Sequence, residues 1–286
     1  MKKLLIQNHP YYFHVEIIES TIVKYHEILN INKTIPIEIY LYLNNKHPIV
    51  KPFIKYIKNK YPNIKFKKIN DYDYYINCTV YPKDANKLDI STESNKKYIA
   101  HTISDKLENN PNVYFLTPLT KGKFFYADIL PFSEEKSISN IPIYIIQGSF
   151  DTRRRNYSLL KKILDYNYQY DFKIKIIGRE TKEYMPKLEK YKEKIILKTN
   201  LEFIDYHKEF QNAYCIIPLI TKKSHPSYYT NKLTSSINYA RGYKLKCLID
   251  RDLQKIYNLK NVEIFNNIDD IVISFKKTLE EFYNFY

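Results

Sequence analysis

Short runs of apolar, largely β-branched residues alternate with segments of helical periodicity along the first half of the chain. Segment 12–29 shows that periodicity clearly, because its apolar residues recur on one helical face, namely Ile17, Ile18, Ile22, Tyr25, Ile28 and Leu29. We predict a second helix over 49–60, which a tyrosine-proline pair stops. The strands predicted in this half are 3–7, 35–43, 64–68, 74–80, 97–101, 113–117 and 124–130.

The same alternation restarts after a polar, proline-flanked stretch at 131–141, which we interpret as a linker. The strands predicted in the second half are 142–147, 172–177, 195–199, 213–220, 246–249 and 262–265. The helices predicted there are 157–166, 186–194, 204–212, 232–241, 252–257 and 268–285. Alternation of this kind is typical of α/β layer folds, and 286 residues suit two domains. We predict domains at 1–133 and 141–286.

Composition excludes several classes of site. Four glycines leave neither G-x-G-x-x-G nor G-x-x-x-x-G-K-[ST], so both common glycine-rich phosphate loops are excluded. Thirty Tyr, no Trp and abundant Lys, Asn and Ile indicate an AT-rich genome, such as that of a large DNA virus or a parasite. The formal net charge of +15 partly reflects that bias. It also suits an anionic membrane surface, a phosphorylated substrate or nucleic acid, although scattered lysines disfavour the last.

Cysteine usage and the N-terminal sequence indicate the compartment. Cys78, Cys215 and Cys247 show no C-x-x-C spacing, which is typical of free thiols in a reducing compartment. The first apolar run is too short for a signal peptide, and no run is long enough for a membrane span. We expect a cytoplasmic protein that is soluble or peripherally membrane-associated.

The loop and helix start after predicted strand 213–220 have the composition of an anion site. The predicted helix begins with one lysine and three hydroxyls, at Lys232, Thr234, Ser235 and Ser236, and no acidic residue occurs between Glu209 and Asp250. Free N–H groups at a helix start attract anions. Ordinary capping explains one hydroxyl but neither the lysine nor the missing acid.

A second anion site is predicted at the turn after strand 142–147. Gly148 and Ser149 open this turn, and it continues into three arginines, Arg153, Arg154 and Arg155. Glycine lets the backbone approach a ligand closely, and guanidinium groups suit phosphate geometry. Cations at a helix start oppose the helix dipole, which favours a functional role for at least one arginine.

Four blocks of the second half together resemble the donor-binding domain of GT-B glycosyltransferases. They are IPIYIIQGSFDTRRRNYSLLKKIL, FKIKIIGRE, LEFIDYHKEFQNAYCIIPLI and YYTNKLTSSINYARGYKLKCLID. The resemblance implies two Rossmann-like α/β/α domains facing a cleft, with a nucleotide diphosphate sugar on the second domain. It implies that Lys232 and Ser235 face the diphosphate, with Arg153 or Arg154 opposite. The nucleotide contacts expected with it are Gly178, Arg179, Tyr228 and Tyr229.

The chain departs from the family at one motif. Retaining members often carry a Glu-x7-Glu pair across the last block, and no acidic residue stands there in this sequence. The retaining mechanism and the family's ribose contact are therefore not implied, and Asn231 or Asn238 could take the ribose.

The first domain is expected to bind the acceptor, a glycan or a lipid-linked hydroxyl compound, and to supply a base. Three histidines, His9, His14 and His101, lie at or just after the carboxyl ends of predicted strands. Imidazole titrates near neutral pH and can accept a proton from an acceptor hydroxyl. In an inverting mechanism one of them would be the general base, while the phosphate-binding cluster stabilises the leaving diphosphate.

Two metal motifs and one nucleophile motif are set aside. Asp71-Tyr72-Asp73 matches the D-x-D of GT-A glycosyltransferases, but it precedes a predicted strand instead of ending one. The histidines and cysteines show no zinc-ligand spacing, and no G-x-S-x-G occurs. No metal or other cofactor is expected.

The function predicted is a metal-independent, hexosyltransferase-like glycosyltransferase that uses a UDP- or GDP-sugar in glycan biosynthesis. Two alternatives stay open. One is a non-catalytic GT-B scaffold that binds carbohydrate or nucleotide, and the other is a basic nucleic-acid-binding protein.

Overall fold

The computed structural model describes residues 1–87, 95–130, 139–180 and 187–285. The chain divides into two compact units. The first unit comprises Met1–Leu130 with Asn231–Leu233, and the second comprises Pro131–Thr230 with Thr234–Tyr286. Most of the linker predicted at 131–141 lies outside the described residues. Each unit contains one parallel sheet of six strands with helices, which confirms the predicted α/β class.

The first unit has a flavodoxin-like strand order. Its strands are Lys2–Gln7 (β1), Ile37–Tyr42 (β2), Tyr74–Val80 (β3), Lys96–Ala100 (β4), Val113–Phe115 (β5) and Lys123–Phe124 (β6). Its helices are Val15–Leu29 (α1), Val50–Lys60 (α2) and Asp105–Glu108 (α3). The sheet order is β2-β1-β3-β4-β5-β6. The order reverses between β1 and β3, which is where open α/β sheets bind ligands, outside the carboxyl ends of the strands.

Continuous apolar runs explain why the central strands of this sheet are buried on both faces. Leu4, Leu5 and Ile6 are consecutive residues of β1, and each is at most 2% exposed. A strand covered on one face alone would alternate apolar and polar residues. Helix α1 covers β3 and β4 with an apolar face, of which Ile18 is fully buried.

Helix α1 begins three residues later than the pattern predicts. His14 precedes it with φ 62° and ψ 28°, in the left-handed region, and therefore cannot continue a right-handed helix. The helix ends as predicted, at Asn30, whose left-handed backbone lets its N–H donate to the carbonyls of Glu27 and His26.

Two strands predicted in the first unit are wrong in extent. Segment 64–68 makes a single bridge, in which Lys65 pairs with Tyr40 at the free edge of β2. Segment 124–130 pairs with β5 only through its beginning, as the two-residue strand β6. In both places apolar alternation continues beyond the hydrogen-bonded ladder, so the pattern overstates the strand.

The second unit has the strand order of Rossmann folds. Its strands are Ile143–Gln147 (β7), Lys173–Gly178 (β8), Ile195–Thr199 (β9), Cys215–Ile216 (β10), Lys246–Asp250 (β11) and Val262–Phe265 (β12). Its helices are Tyr157–Asp165 (α4), Phe203–Gln211 (α5), Ser235–Gly242 (α6), Arg251–Tyr257 (α7) and Asp270–Phe285 (α8). The sheet order is β12-β11-β10-β7-β8-β9, and it reverses between β7 and β10. The carboxyl ends of β7 and β10 are therefore where this unit is expected to bind ligands.

Three elements of the second unit are shorter than predicted. Strand 213–220 is paired only over β10, because Pro218 has no N–H to donate and Leu219 has φ 53°. Of helix 186–194, residue 186 lies outside the described residues and the remainder forms a 3₁₀ turn at Glu189–Tyr191. Helix 232–241 begins at Ser235, since Asn231–Leu233 belong to the first unit.

Two glycines allow the carboxyl ends of β7 and β8 to touch. The N–H of Gly148 donates to the carbonyl of Ile177 over 2.9 Å. A Cβ atom on Gly178 would lie 1.7 Å from the carbonyl oxygen of Gly148, which is closer than any real contact. Gly148 itself has φ 123°, which side chains rarely tolerate. The turn therefore requires both glycines.

Replacing Gly178 by Ala is expected to lower the free energy of unfolding by about 3 kcal/mol or more, because backbone must move to admit the methyl group. The matched control is Gly122→Ala, whose Cβ would meet its nearest neighbour, the hydroxyl of Thr120, at 3.3 Å. Urea denaturation measures the free energy of unfolding of both variants. Equal stability of the two variants would contradict the close approach of β7 and β8.

Candidate functional site

The turn after β7 is held by a buried arginine. Arg155 is 5% exposed. Its Nε and Nη2 donate to the carbonyl of Gln147 over 3.2 and 2.6 Å, and its Nη1 donates to the carbonyl of Arg154 over 2.7 Å. A side chain on Gly148 would collide with the Arg155 guanidinium, whose Nη2 lies 2.6 Å from the position of its Cβ. The donors of Arg155 hold the main chain, which counts against the predicted contact of this arginine with phosphate.

A carboxylate that the sequence analysis passed over engages Arg153. Asp151 is buried, and both of its oxygens accept from the Arg153 guanidinium, at 2.8 Å from Nη2 and 3.0 Å from Nε. These hydrogen bonds hold the pKa of Asp151 below its usual range. Arg153 is therefore committed to a bidentate ion pair, which counts against its predicted phosphate role. The side chain of Arg154 is exposed and projects from the same turn.

Helix α6 presents an uncapped N-terminus beside this turn. Thr234 is its N-cap residue, yet the Thr234 hydroxyl makes no capping hydrogen bond. That hydroxyl is buried and has no partner among the described residues. The hydroxyls of Ser235 and Ser236 each donate to Oε1 of Gln147 over 3.1 Å. The end of β7 and the start of α6 are thus joined through Gln147, the residue directly before Gly148.

Two other helix starts in the same unit, those of α4 and α7, are closed by their own side chains. Asn156 caps α4 by accepting from the N–H of Ser158, and Asp250 caps α7 by accepting from the N–H groups of Asp252 and Leu253. The first-turn N–H groups of a helix carry partial positive charge and need acceptors. Among these three helices, α6 is the one whose first turn is left available to an anion.

The residues predicted to contact the nucleotide differ in their burial. Tyr229 is buried, and its hydroxyl donates to the carbonyl of Ile220 and to Asp250 at the end of β11. Tyr229 therefore anchors the loop, and its ring is not exposed for stacking against a nucleotide base. Burial raises the pKa of Asp250 against the lowering effect of that hydrogen bond. Arg179 is exposed, and Tyr228 is half-buried on a 3₁₀ turn, Pro226–Tyr229.

Lys232 lies in the segment that belongs to the first unit. It forms an antiparallel bridge with Thr102, and the neighbouring Asn231 carbonyl accepts from the N–H of Ile103 over 2.9 Å. The Lys232 side chain is exposed. Its predicted contact with a diphosphate stays a prediction.

In the first unit, two of the three predicted histidines come together at the switch point. The rings of His14 and His101 stack with centroids 3.8 Å apart. His14 Nε2 lies 3.1 Å from the hydroxyl of Tyr81, and its Nδ1 lies 3.5 Å from Glu16. This His14 cluster, comprising His14, Glu16, Tyr81 and His101, places an imidazole between a carboxylate and a phenol. His9 lies elsewhere, stacked on Tyr42 at 4.6 Å.

Burial sets the protonation of the His14 cluster. It lowers the pKa of His101 to about 3, with the neighbouring His14 adding to the effect, so His101 is neutral around pH 7. The Nε2 of His101 then donates to the carbonyl of Cys78 over 3.2 Å. Burial is the largest single influence on Glu16 and acts to raise its pKa, but the hydrogen bond to His14, the charge of His14 and smaller contributions together lower the pKa below its usual value. The cluster therefore pairs an ionised carboxylate with His14.

The D-x-D motif at Asp71 and Asp73 lies at the amino end of β1, away from the carboxyl ends of the strands where ligands are expected. Asp71 and Asp73 pair with lysines at the start of β1, Asp73 with Lys2 at 2.6 Å and Asp71 with Lys3 at 2.7 Å. Within the described residues, no group of three or more His, Cys, Asp or Glu side chains is arranged to hold a metal ion. No helix in that part of the chain is both long and apolar enough to cross a membrane.

Sequence reasoning missed four residues of these sites. Gln147 and Asp151 were assigned only to a strand and a turn, Glu16 only to the predicted helix 12–29, and Tyr81 directly follows the predicted strand 74–80. The positions of Gln147 and Tyr81, directly at or after strand carboxyl ends, are the signal that could have identified them.

Comparison with solved structures places the chain in a fold class. Two parallel-sheet units of these strand orders are the architecture of GT-B glycosyltransferases, and the chain has that fold. AviGT4, a glycosyltransferase involved in avilamycin A biosynthesis, superimposes with a TM-score of 0.63 at 8% identity over 98% of this chain and 88% of that one. Sucrose-phosphate synthase from Thermosynechococcus elongatus gives 0.54 at 10% identity over 98% and 90%. Neither a protein-family model nor a curated protein sequence matches the chain.

Acid is expected to destabilise the first unit through His101. The unfolded chain binds a proton at this residue below about pH 6.5, whereas the folded chain does so only near pH 3. The free energy of unfolding should therefore fall as the pH decreases between these values, by at most about 1.4 kcal/mol per pH unit for the one proton. His101→Gln should flatten the slope in urea denaturation. An unchanged slope would show that His101 does not titrate as described.

Proposed function

We propose that the chain is a glycosyltransferase that transfers a sugar from a nucleotide diphosphate sugar to a hydroxyl acceptor. The observation that carries this proposal is the uncapped start of α6, with its buried and unpartnered Thr234 hydroxyl, beside the strand-order reversal of the second sheet. N–H groups and hydroxyls at such a position suit a diphosphate. The fold shared with AviGT4 supports the proposal, because it is a fold that glycosyltransferases use.

The second unit would bind the donor and stabilise the leaving group. As the bond between the sugar and the diphosphate breaks, negative charge develops on the phosphate oxygens. The first turn of α6 and the Thr234 hydroxyl would donate to these oxygens, and Ser235 and Ser236 could redirect their hydrogens from Gln147 to them. Arg154 is the exposed arginine of the adjoining turn and would supply positive charge. This assignment requires no metal ion for charge neutralisation, and UDP- and GDP-sugars are the donors we favour.

The first unit would activate the acceptor through His14. Glu16 accepts a hydrogen bond from Nδ1–H, which leaves Nε2 as the proton acceptor and stabilises the cation that forms. The acceptor hydroxyl would take the place of the Tyr81 hydroxyl, which lies 3.1 Å from Nε2, and Nε2 would then take the proton of the acceptor hydroxyl. The acceptor oxygen attacks the anomeric carbon of the donor. The bond from that carbon to the diphosphate breaks, and the diphosphate leaves with the electron pair. A single displacement of this kind inverts the configuration.

Thr234→Val tests the donor site. The substitution removes a buried hydroxyl that has no partner, so it should leave the free energy of unfolding unchanged or higher, while weakening nucleoside diphosphate binding about fivefold or more. The matched control is Thr221→Val, since the Thr221 hydroxyl lies 2.8 Å from that of Ser224; this variant should lose stability and keep its affinity.

The measurement is thermal unfolding with UDP, GDP, ADP and CMP and their sugars, with and without Mn²⁺. Undiminished affinity in Thr234→Val would contradict the donor site. Stabilisation that requires Mn²⁺ would contradict metal independence.

His14→Gln tests the base. Removal of a general base typically lowers kcat about 10² to 10⁴-fold, and nucleotide binding to the second unit should not change. The readout is transfer of labelled sugar by the variant and by wild type under the same conditions. Full activity of the variant would eliminate His14 as the base. Nucleotide binding without transfer in wild type would instead support the non-catalytic scaffold.

A further inference from the structure

A basic groove of about 620 Å³ lies at the carboxyl end of β2, within the first unit. Five lysines line it, namely Lys46, Lys51, Lys58, Lys67 and Lys68. No aspartate or glutamate is among its described lining residues. The groove belongs to the edge of the sheet at which parallel strands present ligand sites, but none of its lysines takes part in the site proposed above.

Five lysines elsewhere in the first unit pair with carboxylates. Lys2 and Lys3 pair with Asp73 and Asp71, Lys24 pairs with Asp128 at 3.3 Å, Lys60 with Glu19 at 2.9 Å, and Lys65 with Glu38. In the described part of the chain, the five lysines of the basic groove have no such ion pair. Their charges therefore add, and the groove holds a positive potential that the rest of the unit largely cancels.

The walls of the groove are set by ordered secondary structure. Lys51 and Lys58 are seven residues apart on α2 and so share one helical face, with Ile54 between them. The opposite wall, which carries Lys67 and Lys68, follows Lys65, whose N–H and C=O bond to the main chain of β2 over 3.0 and 2.8 Å. Two of the five lysines therefore stand on a helix, and two follow a segment that is hydrogen-bonded to β2.

The aromatic rings of the groove are already engaged. His9 stacks on Tyr42, and the Lys68 ammonium lies 5.8 Å from the centre of the same ring. The Lys58 ammonium lies 5.3 Å from the centre of the Phe66 ring. Single-stranded nucleic acids bind by stacking bases on accessible aromatic faces. The groove instead offers ammonium groups without free stacking platforms, which favours a ligand recognised by its charge.

We propose that the basic groove binds phosphate groups of the acceptor, so that the acceptor is a phosphorylated saccharide. This inference rests on the proposed glycosyltransferase function. Ammonium groups form charge-assisted hydrogen bonds with phosphate oxygens, and several around one groove suit more than one phosphate. Asn45 and the Oδ1 of Asn44, whose Nδ2 donates to the carbonyl of Pro10, also line the groove and can bond to sugar hydroxyls.

The test uses the full chain and a maltoheptaose that carries phosphate monoesters, compared with the same oligosaccharide after phosphatase treatment. Affinity is measured by titration calorimetry in 150 mM salt. The variant is Lys51→Gln/Lys58→Gln. The control is Lys33→Gln/Lys106→Gln, which removes two equally exposed charges of the same unit outside the groove. We expect wild type to prefer the phosphorylated form and the groove variant to lose at least about tenfold in affinity, against less than about twofold for the control.

Equal losses in both double variants, or no preference for the phosphorylated form, would overturn the proposal. Groove-dependent binding of a twelve-nucleotide single strand in preference to the saccharide would assign the groove to nucleic acid instead. Nucleoside diphosphate binding, measured in parallel, should be the same in both variants. If wild type did not bind nucleoside diphosphates, the proposed function would fail. The comparison of the two double variants would still decide whether the groove binds phosphate.

Discussion

The close contact between the ends of β7 and β8 is the constraint on which the second unit's binding edge depends. Gly178 must lack a side chain so that the Gly148 carbonyl can approach, and the Arg155 guanidinium fills the space beside Gly148. That guanidinium holds the carbonyl of Gln147, whose side chain in turn accepts from Ser235 and Ser236. The position of the α6 start is therefore linked, through one glutamine, to the absence of two side chains and to one buried cation.

At the strand-order reversal of each sheet, the two units offer different kinds of polar group. Beside the strand reversal of the second unit, the donors are fixed dipoles and hydroxyls, whose strength does not vary with pH. At the reversal of the first unit stand an imidazole and a carboxylate, whose charge can change during a reaction. Fixed dipoles suit a charge that must be held, and titratable groups suit a proton that must move. This division supports assigning binding to one unit and proton transfer to the other.

Sequence patterns predicted most of the fold, because burial on both sheet faces makes the central strands continuous apolar runs. The edge strand β12 was also predicted to the residue. They failed where tertiary contacts decide. Three consecutive arginines look equivalent in the sequence, yet Asp151 takes Arg153 and the Gln147 carbonyl takes Arg155. Likewise, nothing local distinguishes the buried Tyr229 from its neighbour. An anion site at the start of α6 was predicted from hydroxyls and missing acid and stays a prediction, whereas the missing cap and the link to Gln147 are seen only in the folded sheet.

The assignment of Asn231–Leu233 to the first unit affects the order in which the protein can be completed on the ribosome. Domains usually fold as units from the N-terminus during synthesis. Here the bridge between Thr102 and Lys232 joins residues made far apart in time, since strands β7 to β10 are translated between them. The nascent first unit must persist without that pairing until most of the second unit has emerged. Its sheet, and not this late segment, must therefore carry its early stability.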